Sequence, residues 1–286
     1  MKSVLSDSSW LALMIGNSRL HWALFSEEKL CLAWDSQYLP ASVVQQLAKC
    51  QTLNDFPVEL LPPQLIRDIN SEEHSSRLSP LTSRLVVLSL ASVVPNQTAL
   101  WQGYSNVLEI TLDQVPLQGV YPTLGIDRAL ALWGAGETWG WPMLVIDAGT
   151  ALTLTGADAN RCLIGGAILP GLGLQFQSLS QKTANLPLID TKDVAIPPRW
   201  AINTQDAISS GIIYTIIAGI RDFIEAWWQE FPDSYISLTG GDRTLLLTYL
   251  QAQFPDIAAK VIPDPNLIFW GMRSCRRRDQ GSGVGG

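Results

Sequence analysis

The chain is poor in the residues from which recognition by charge and most metal chemistry are built. Of 286 residues only 16% are charged and two are histidine, against 47% hydrophobic, and the formal net charge is −7. That balance excludes a nucleic-acid surface, which needs clustered Lys and Arg to displace counterions. The one basic cluster, Arg273, Arg276, Arg277 and Arg278, runs into Gly and Ser and reads as a solvated, disordered tail over 273–286. Four scattered cysteines (Cys31, Cys50, Cys162, Cys275) form no C-x-x-C pair, and His21 and His74 are the only imidazoles. Together they make no zinc site and no Ser-His-Asp triad. The cysteines read as reduced, mostly buried thiols of a cytoplasmic protein. The first residues hold no apolar core of signal-peptide length. The most membrane-like stretch, residues 207–220, is too short to cross a bilayer. The expectation is a soluble chain with neither membrane nor nucleic acid as partner.

What the sequence does have is a phosphate-binding pattern, twice. In Met143-Leu-Val-Ile-Asp147-Ala-Gly149-Thr150-Ala-Leu-Thr153-Leu-Thr155 an apolar run ends on a carboxylate, a glycine and a hydroxyl, and a second apolar run turns back. The pattern predicts strand, tight turn, strand. Gly149 lets backbone N–H groups approach an anion, Thr150 can donate to it, and Asp147 stands where it can hold a cation. Taken alone, the motif is equally an ordinary hairpin with an acid in its turn. The second copy is Leu11-Ala-Leu-Met14-Ile15-Gly16-Asn17-Ser18-Arg19-Leu20-His21-Trp22. Laying Gly16 on Gly149 puts Met14 on Asp147. Two such hairpins suggest a duplicated pair of domains handling nucleotide phosphates.

Between and after them the chain alternates strand and helix signals. Residues 39–83 hold helices but no motif. A buried strand spans 84–92, and another is expected near 108–113. Gly125-Ile126-Asp127-Arg128 opens a helix, with a carboxylate in the first turn where the helix dipole favours it. A glycine-broken strand follows Cys162, then a helix over 172–182. The clearest helix runs over 205–230, with a sustained i, i+3, i+4, i+7 apolar stripe and Thr204 as N-cap. Its glycines allow close packing, including across a subunit interface. A last strand ends in Thr239-Gly240-Gly241-Asp242.

In this order, Gly-Asn-Ser, Ser-Val-Val-Pro, Gly-Ile-Asp-Arg, Asp-Ala-Gly-Thr-Ala, Gly-Gly-Ala-Ile-Leu-Pro-Gly, Asn203-Thr204 and Thr-Gly-Gly-Asp resemble the type III pantothenate kinases, relatives of the Bvg accessory factor proteins. The resemblance implies an α/β fold of two duplicated ribonuclease H-like domains of the actin/hexokinase/acetate kinase superfamily, with the active site in the cleft between them. The domains would be 1–118 and 119–272. It implies ATP-dependent phosphorylation of pantothenate to 4′-phosphopantothenate, the first step of coenzyme A biosynthesis, by a cytoplasmic homodimer. Asp127 would be the general base. Tyr121, Gly125, Ile126, Asp127, Arg128 and Thr204 would line the pantothenate site, with Arg128 attracting the substrate carboxylate or organising Asp127. Met14, Ile15, Gly16, Asn17, Ser18, Arg19, Leu20, His21 and Thr150 would hold ATP with its Mg²⁺. Asp147 would bind a monovalent cation, K⁺ or NH₄⁺.

The family carries Asp where this chain has Met14, and Thr where it has Ser18. A thioether is a poor Mg²⁺ ligand. Three accounts stay open: the metal relies on ATP, water and Asp127 or Asp147; another carboxylate has moved in; or the chain is a catalytically impaired paralogue acting as a regulatory or interaction protein.

Overall fold

The computed structural model describes residues 9–50, 52, 55–70, 87–104, 106–182, 187, 189 and 196–282. The chain separates into two compact units, one of residues 1–115, 125–127 and 272–286, the other of residues 116–124 and 128–271.

The first unit is built on a five-stranded sheet. Its strands are β1 (Ser9–Ile15), β2 (Leu20–Ser26), β3 (Lys29–Ser36), β4 (Val87–Ser92) and β5 (Val107–Glu109). Their order is β3-β2-β1-β4-β5, with β2 antiparallel to both β1 and β3, and with β4 parallel to β1 and β5 parallel to β4. Every residue of β1 is buried, as a central strand covered on both faces requires. At the edge, β3 alternates exposed and half-buried residues, which places Cys31 outward. Helices α1 (Ala41–Leu47) and α2 (Pro63–Asn70) lie in the segment read as helical without a motif. Val44, Leu47, Leu65 and Trp101 pack with Leu11, Leu13, Ile15 and Trp22 into one core. Residues 84–86 of the predicted fourth strand and His74 lie outside the described residues. The strand expected near 108–113 is the shorter β5, followed by a 3₁₀ turn over Leu112–Gln114 that a Thr111–Gln114 capping box closes.

The second unit repeats that plan. Helix α3 (Ile126–Trp139), which belongs to this unit from Arg128 on, leads to β6 (Met143–Ala148), β7 (Ala151–Ala157), β8 (Leu163–Pro170), α4 (Leu172–Lys182), α5 (Thr204–Glu230), β9 (Tyr235–Thr239), α6 (Arg243–Gln253), β10 (Val261–Pro263) and α7 (Leu267–Ser282), whose residues from 272 on belong to the first unit. The strands run β8-β7-β6-β9-β10, again with two antiparallel pairings on one side of the central strand and two parallel pairings on the other. Two copies of one strand order and one set of directions are the duplicated ribonuclease H-like arrangement anticipated from the motifs.

Helix α5 has the length and apolar composition to cross a membrane, about 40 Å at 1.5 Å per residue. Its Ile208, Ile212, Ile216, Ile220, Ile224 and Trp227 are buried with Ile146, Leu152, Leu154 and Leu238 in the core of the second unit. The cap of α5 lies one residue before the expected Thr204: the Asn203 side chain accepts from the Asp206 N–H at 2.9 Å.

Two expectations are corrected. The tail is not disordered from 273: α7 continues to Ser282, because Cys275 is buried and Arg276 lies over the Trp10 ring at 4.9 Å and donates to Ser89 Oγ at 3.2 Å. The cysteines are free but not mostly buried. Only Cys275 is, whereas Cys31 is exposed and Cys50 and Cys162 are half-buried.

Candidate active site

The turn after β6 is assembled from backbone packed on backbone. Gly149 N–H donates to the Ala151 carbonyl at 3.1 Å and closes the β6–β7 hairpin. On one side Gly171 N–H donates to the Thr150 carbonyl at 2.9 Å, and a Cβ on Gly171 would overlap the Gly149 and Thr150 carbonyls. On the other side Asp242 N–H donates to the Ala148 carbonyl at 2.9 Å. Gly240 takes φ +90°, a conformation that L side chains rarely adopt, and a Cβ there would overlap Asp147 Oδ1 and the Ala148 carbonyl. The three glycine-bearing turns recognised in the sequence therefore meet at the β6–β7 turn, with Gly240 against Asp147. Asp147 is half-buried and Thr150 exposed, so the turn presents a carboxylate edge, a hydroxyl and polar backbone.

The first hairpin repeats the register but not the chemistry. Gly16 N–H donates to the Arg19 carbonyl at 3.1 Å. Met14 stands opposite His21 and Asp147 opposite Thr153, each the next-to-last residue of its central strand. Met14, Ile15 and Leu20 are core side chains, each at most 1% exposed, so only their backbone is available to a ligand. Asn17, Ser18 and Arg19 are exposed and His21 half-buried. Tyr38 donates its hydroxyl to the Gly16 carbonyl and braces the turn.

Sequence reasoning missed the partner of His21. Its Nδ1 donates to Asp35 Oδ1 at 2.7 Å, and Arg19 Nη1 donates to Asp35 Oδ2 at 3.2 Å. Burial pushes the Asp35 carboxyl up. The hydrogen bond and charge of His21, then those of Arg19, outweigh burial and hold it below the ordinary carboxylate range. Only the β2–β3 register, which sets His21 opposite Asp35 and shifts at Leu24/Phe25, reveals the pair.

Asp127 is in the first turn of α3 and half-buried. A Cβ on Gly125 would overlap its Oδ1, so the glycine of Gly-Ile-Asp-Arg makes room for the carboxylate. Ile126 is buried. Arg128 is 8% exposed and acts as a strut of the second unit. Its Nε donates to Thr155 Oγ1 at 2.9 Å, Nη1 to the Tyr121 hydroxyl at 3.0 Å and Nη2 to the Leu154 carbonyl at 3.2 Å. Tyr121 itself is 41% exposed. Thr155, assigned no role from sequence, is buried under this guanidinium. Thr204 is exposed in the first turn of α5.

The two hairpins differ in what they offer a cation. At the second, Asp147 Oδ1 and the Ala148 carbonyl both lie close against Gly240 and are hard oxygen donors of the kind a cation takes. The first hairpin offers a buried thioether and a carboxylate engaged at both oxygens, which does not suit a divalent ion. Among the described residues no group of three or more His, Cys, Asp or Glu side chains is placed to hold a metal.

Comparison with known proteins agrees with the motifs. The sequence profile described as Type III pantothenate kinase matches residues 10–226. A type III pantothenate kinase of Nostoc sp. is 55% identical over 273 residues, covering 94% of each chain. Another from Synechocystis sp. is 39% identical over 272 residues, covering 95% of this chain and 91% of that one. A solved Baf family structure from Campylobacter jejuni matches with a TM-score of 0.54 at 19% identity, covering 95% of this chain and 99% of that one, a likeness of fold. The chain belongs to the type III pantothenate kinase family.

Proposed function

We propose that this chain carries out the family reaction with Asp127 as its general base and its two glycine-turn hairpins as its phosphate-binding elements. The reaction is ATP-dependent phosphorylation of pantothenate to 4′-phosphopantothenate, which opens coenzyme A biosynthesis. The primary hydroxyl oxygen of pantothenate attacks the γ-phosphorus of ATP. The new O–P bond forms as the bond to the β,γ-bridging oxygen breaks and ADP leaves. Phosphoryl transfer asks the protein mainly for positioning, charge neutralisation and an acceptor for the hydroxyl proton. Asp127 Oδ1 takes that proton. Its support is the carboxylate in the first turn of α3 with a glycine two residues earlier making room for it.

Thr150 and the backbone of its turn contact phosphate, as do residues 16–21 of the first hairpin. Gly125, Ile126, Tyr121, Arg128 and Thr204 bind pantothenate. Arg128 does so chiefly by holding the Tyr121 hydroxyl, since its own guanidinium bonds to Thr155, Tyr121 and Leu154. Asp147, with the Ala148 carbonyl beside it, would hold K⁺ or NH₄⁺. When bound, that ion and the Mg²⁺ that accompanies ATP supply positive charge against the phosphates. The enzyme works in the cytoplasm as a homodimer. Exposed apolar side chains on α4, α5 and β8 (Leu174, Phe223, Ile164, Ile168) support an interface on the second unit.

The single observation that carries the assignment is the Asp147–Gly149–Thr150 turn, packed between Gly171 and Gly240–Asp242 in a family whose members phosphorylate pantothenate. The test is formation of 4′-phosphopantothenate from ATP and pantothenate, with K⁺ exchanged for Na⁺, in wild type and Asp147→Asn. Turnover that falls on exchange in the wild type, and loses this sensitivity in the variant, is the expected result. Turnover indifferent to the cation in both removes Asp147 from its role.

A further inference from the structure

The row of side chains that crosses each sheet at its turn end differs in kind between the two copies. In the second sheet it reads Asp147, Thr153, Ile168 across β6, β7 and β8. In the first it reads Met14, His21, Asp35 across β1, β2 and β3. Directly opposed residues share a face of the sheet. The acid has therefore moved from the central strand to the outer one, two strand spacings or about 10 Å away, with an imidazole between.

The imidazole returns polarity to the turn. With Nδ1 bonded to Asp35, the opposite edge of the ring points at Gly16: Nε2 lies 3.3 Å from where a Cβ on that residue would stand. Arg19 leaves the same turn and shares the same carboxylate. The His21, Arg19 and Asp35 side chains are 36%, 51% and 48% exposed, so the cluster is open to a ligand. A carboxylate engaged on both oxygens is the anchor of such a cluster rather than its ligand-binding group. What this leaves at the turn is nitrogen: an imidazole edge against Gly16 and a half-exposed guanidinium from Arg19, next in the chain to the exposed residues 17 and 18. Nitrogen donors tethered to one acid suit a phosphate oxygen directly, and the tether removes much of the freedom the long Arg19 chain would otherwise lose on binding.

We infer that the first hairpin grips the phosphates of ATP directly, through Nε2 of His21 and the guanidinium of Arg19, with Asp35 as the positioning residue for both. No divalent ion is seated on this hairpin. A phosphate oxygen at Nε2 requires the ring to donate at both nitrogens, Nδ1 to Asp35 and Nε2 to phosphate. The inference rests on the reading of the hairpins as phosphate-binding elements and adds a residue, Asp35, and a chemistry to it.

The test is equilibrium binding of a non-hydrolysable ATP analogue to the full chain, once with Mg²⁺ and once in EDTA. His21→Ala and Asp35→Ala are each expected to weaken binding about tenfold or more, by the same factor in both conditions. Asp35→Asn, which keeps an acceptor for Nδ1 but no charge, falls between. In steady state KM for ATP rises in these variants while KM for pantothenate stays put, a split that a merely structural role would not produce. If Asp35→Ala does not fold, Asp35→Asn and His21→Ala decide the matter. Affinity unchanged in the variants overturns the inference, and so does a loss seen only with Mg²⁺. Thr150→Ala separates the two levels. If it weakens nucleotide binding while His21→Ala and Asp35→Ala do not, this inference alone fails; if none of the three does, the phosphate-binding reading fails with it.

Discussion

Met14 and Asp147 hold the same position in two copies of one sheet. Each is the next-to-last residue of a central strand, Met14 between His21 and Ala91, Asp147 between Thr153 and Thr239. The duplication of backbone is thus kept while the side-chain chemistry diverges.

Met14 is 1% exposed, so its substitutions separate packing from ligation. Met14→Leu conserves volume and is expected to cost less than about 1.5 kcal/mol, with kcat/KM for ATP changed by no more than about twofold. Met14→Asp buries an unpaired carboxylate and is expected to cost roughly 3 kcal/mol or more. Urea unfolding and initial rates check both. A large loss of activity in a stable Met14→Leu protein would mean that the sulfur contacts a ligand.

The packing at Asp147 makes a second pair of glycine substitutions informative. Gly240→Ala meets both an unfavourable φ and the Ala148 carbonyl, and is expected to destabilise by at least about 2 kcal/mol and to reduce turnover. Gly211→Ala, on α5 with open space around it, is expected to stabilise the chain by about 0.5–1 kcal/mol. Thermal unfolding of the two variants side by side is the measurement; equal effects would contradict the packing described for Gly240.

The end of the chain contributes to stability. Ending it at Met272 removes buried Cys275, the Arg276 contact with Trp10 and the Arg273 and Arg277 pairs with Glu28. Surface pairs of this kind contribute little. Cys275 and Arg276 together set the expected loss at roughly 2–4 kcal/mol. Chemical unfolding of the shortened chain reads it directly, and a shortened chain as stable as the full one would restore the disordered-tail reading.

Asp35 gives the stability of the first unit a dependence on pH. Its folded carboxyl titrates below the ordinary 3.8, against burial, because His21 and Arg19 favour the charged form. A depressed folded value contributes stability that is fully present above the unfolded value and lost as pH falls through the folded one. The difference in unfolding free energy between wild type and Asp35→Asn is therefore expected to be largest above about pH 5 and to shrink as the solution is acidified below 4. A difference constant across that range would show that the carboxylate is not charge-paired in the folded chain.

The elements legible in the sequence were those whose signal is local. Both hairpins announce themselves by apolar runs stopped at Gly16 and Gly149, α3 by Asp127 in its first turn, and α5 by its isoleucine stripe. The cap of α5 was misplaced by one residue because Asn203 and Thr204 are both good caps, and only the bond from Asp206 N–H chooses between them. The tail was misread because Arg and Gly composition says nothing of Trp10 and Ser89, which lie far away in sequence and hold it. Asp35 was invisible for a related reason. It meets His21 only through strand register, and β3 alone reads as an edge strand of no consequence.

The central claim is that Asp127 takes the proton from the pantothenate hydroxyl. Its most direct test is 4′-phosphopantothenate formation by Asp127→Asn beside the wild type, with ATP-analogue binding measured on the same samples. The account predicts that turnover falls at least about a hundredfold while nucleotide affinity and the unfolding midpoint stay near those of the wild type. Turnover within a few-fold of the wild type in a folded, nucleotide-binding Asp127→Asn protein would contradict it.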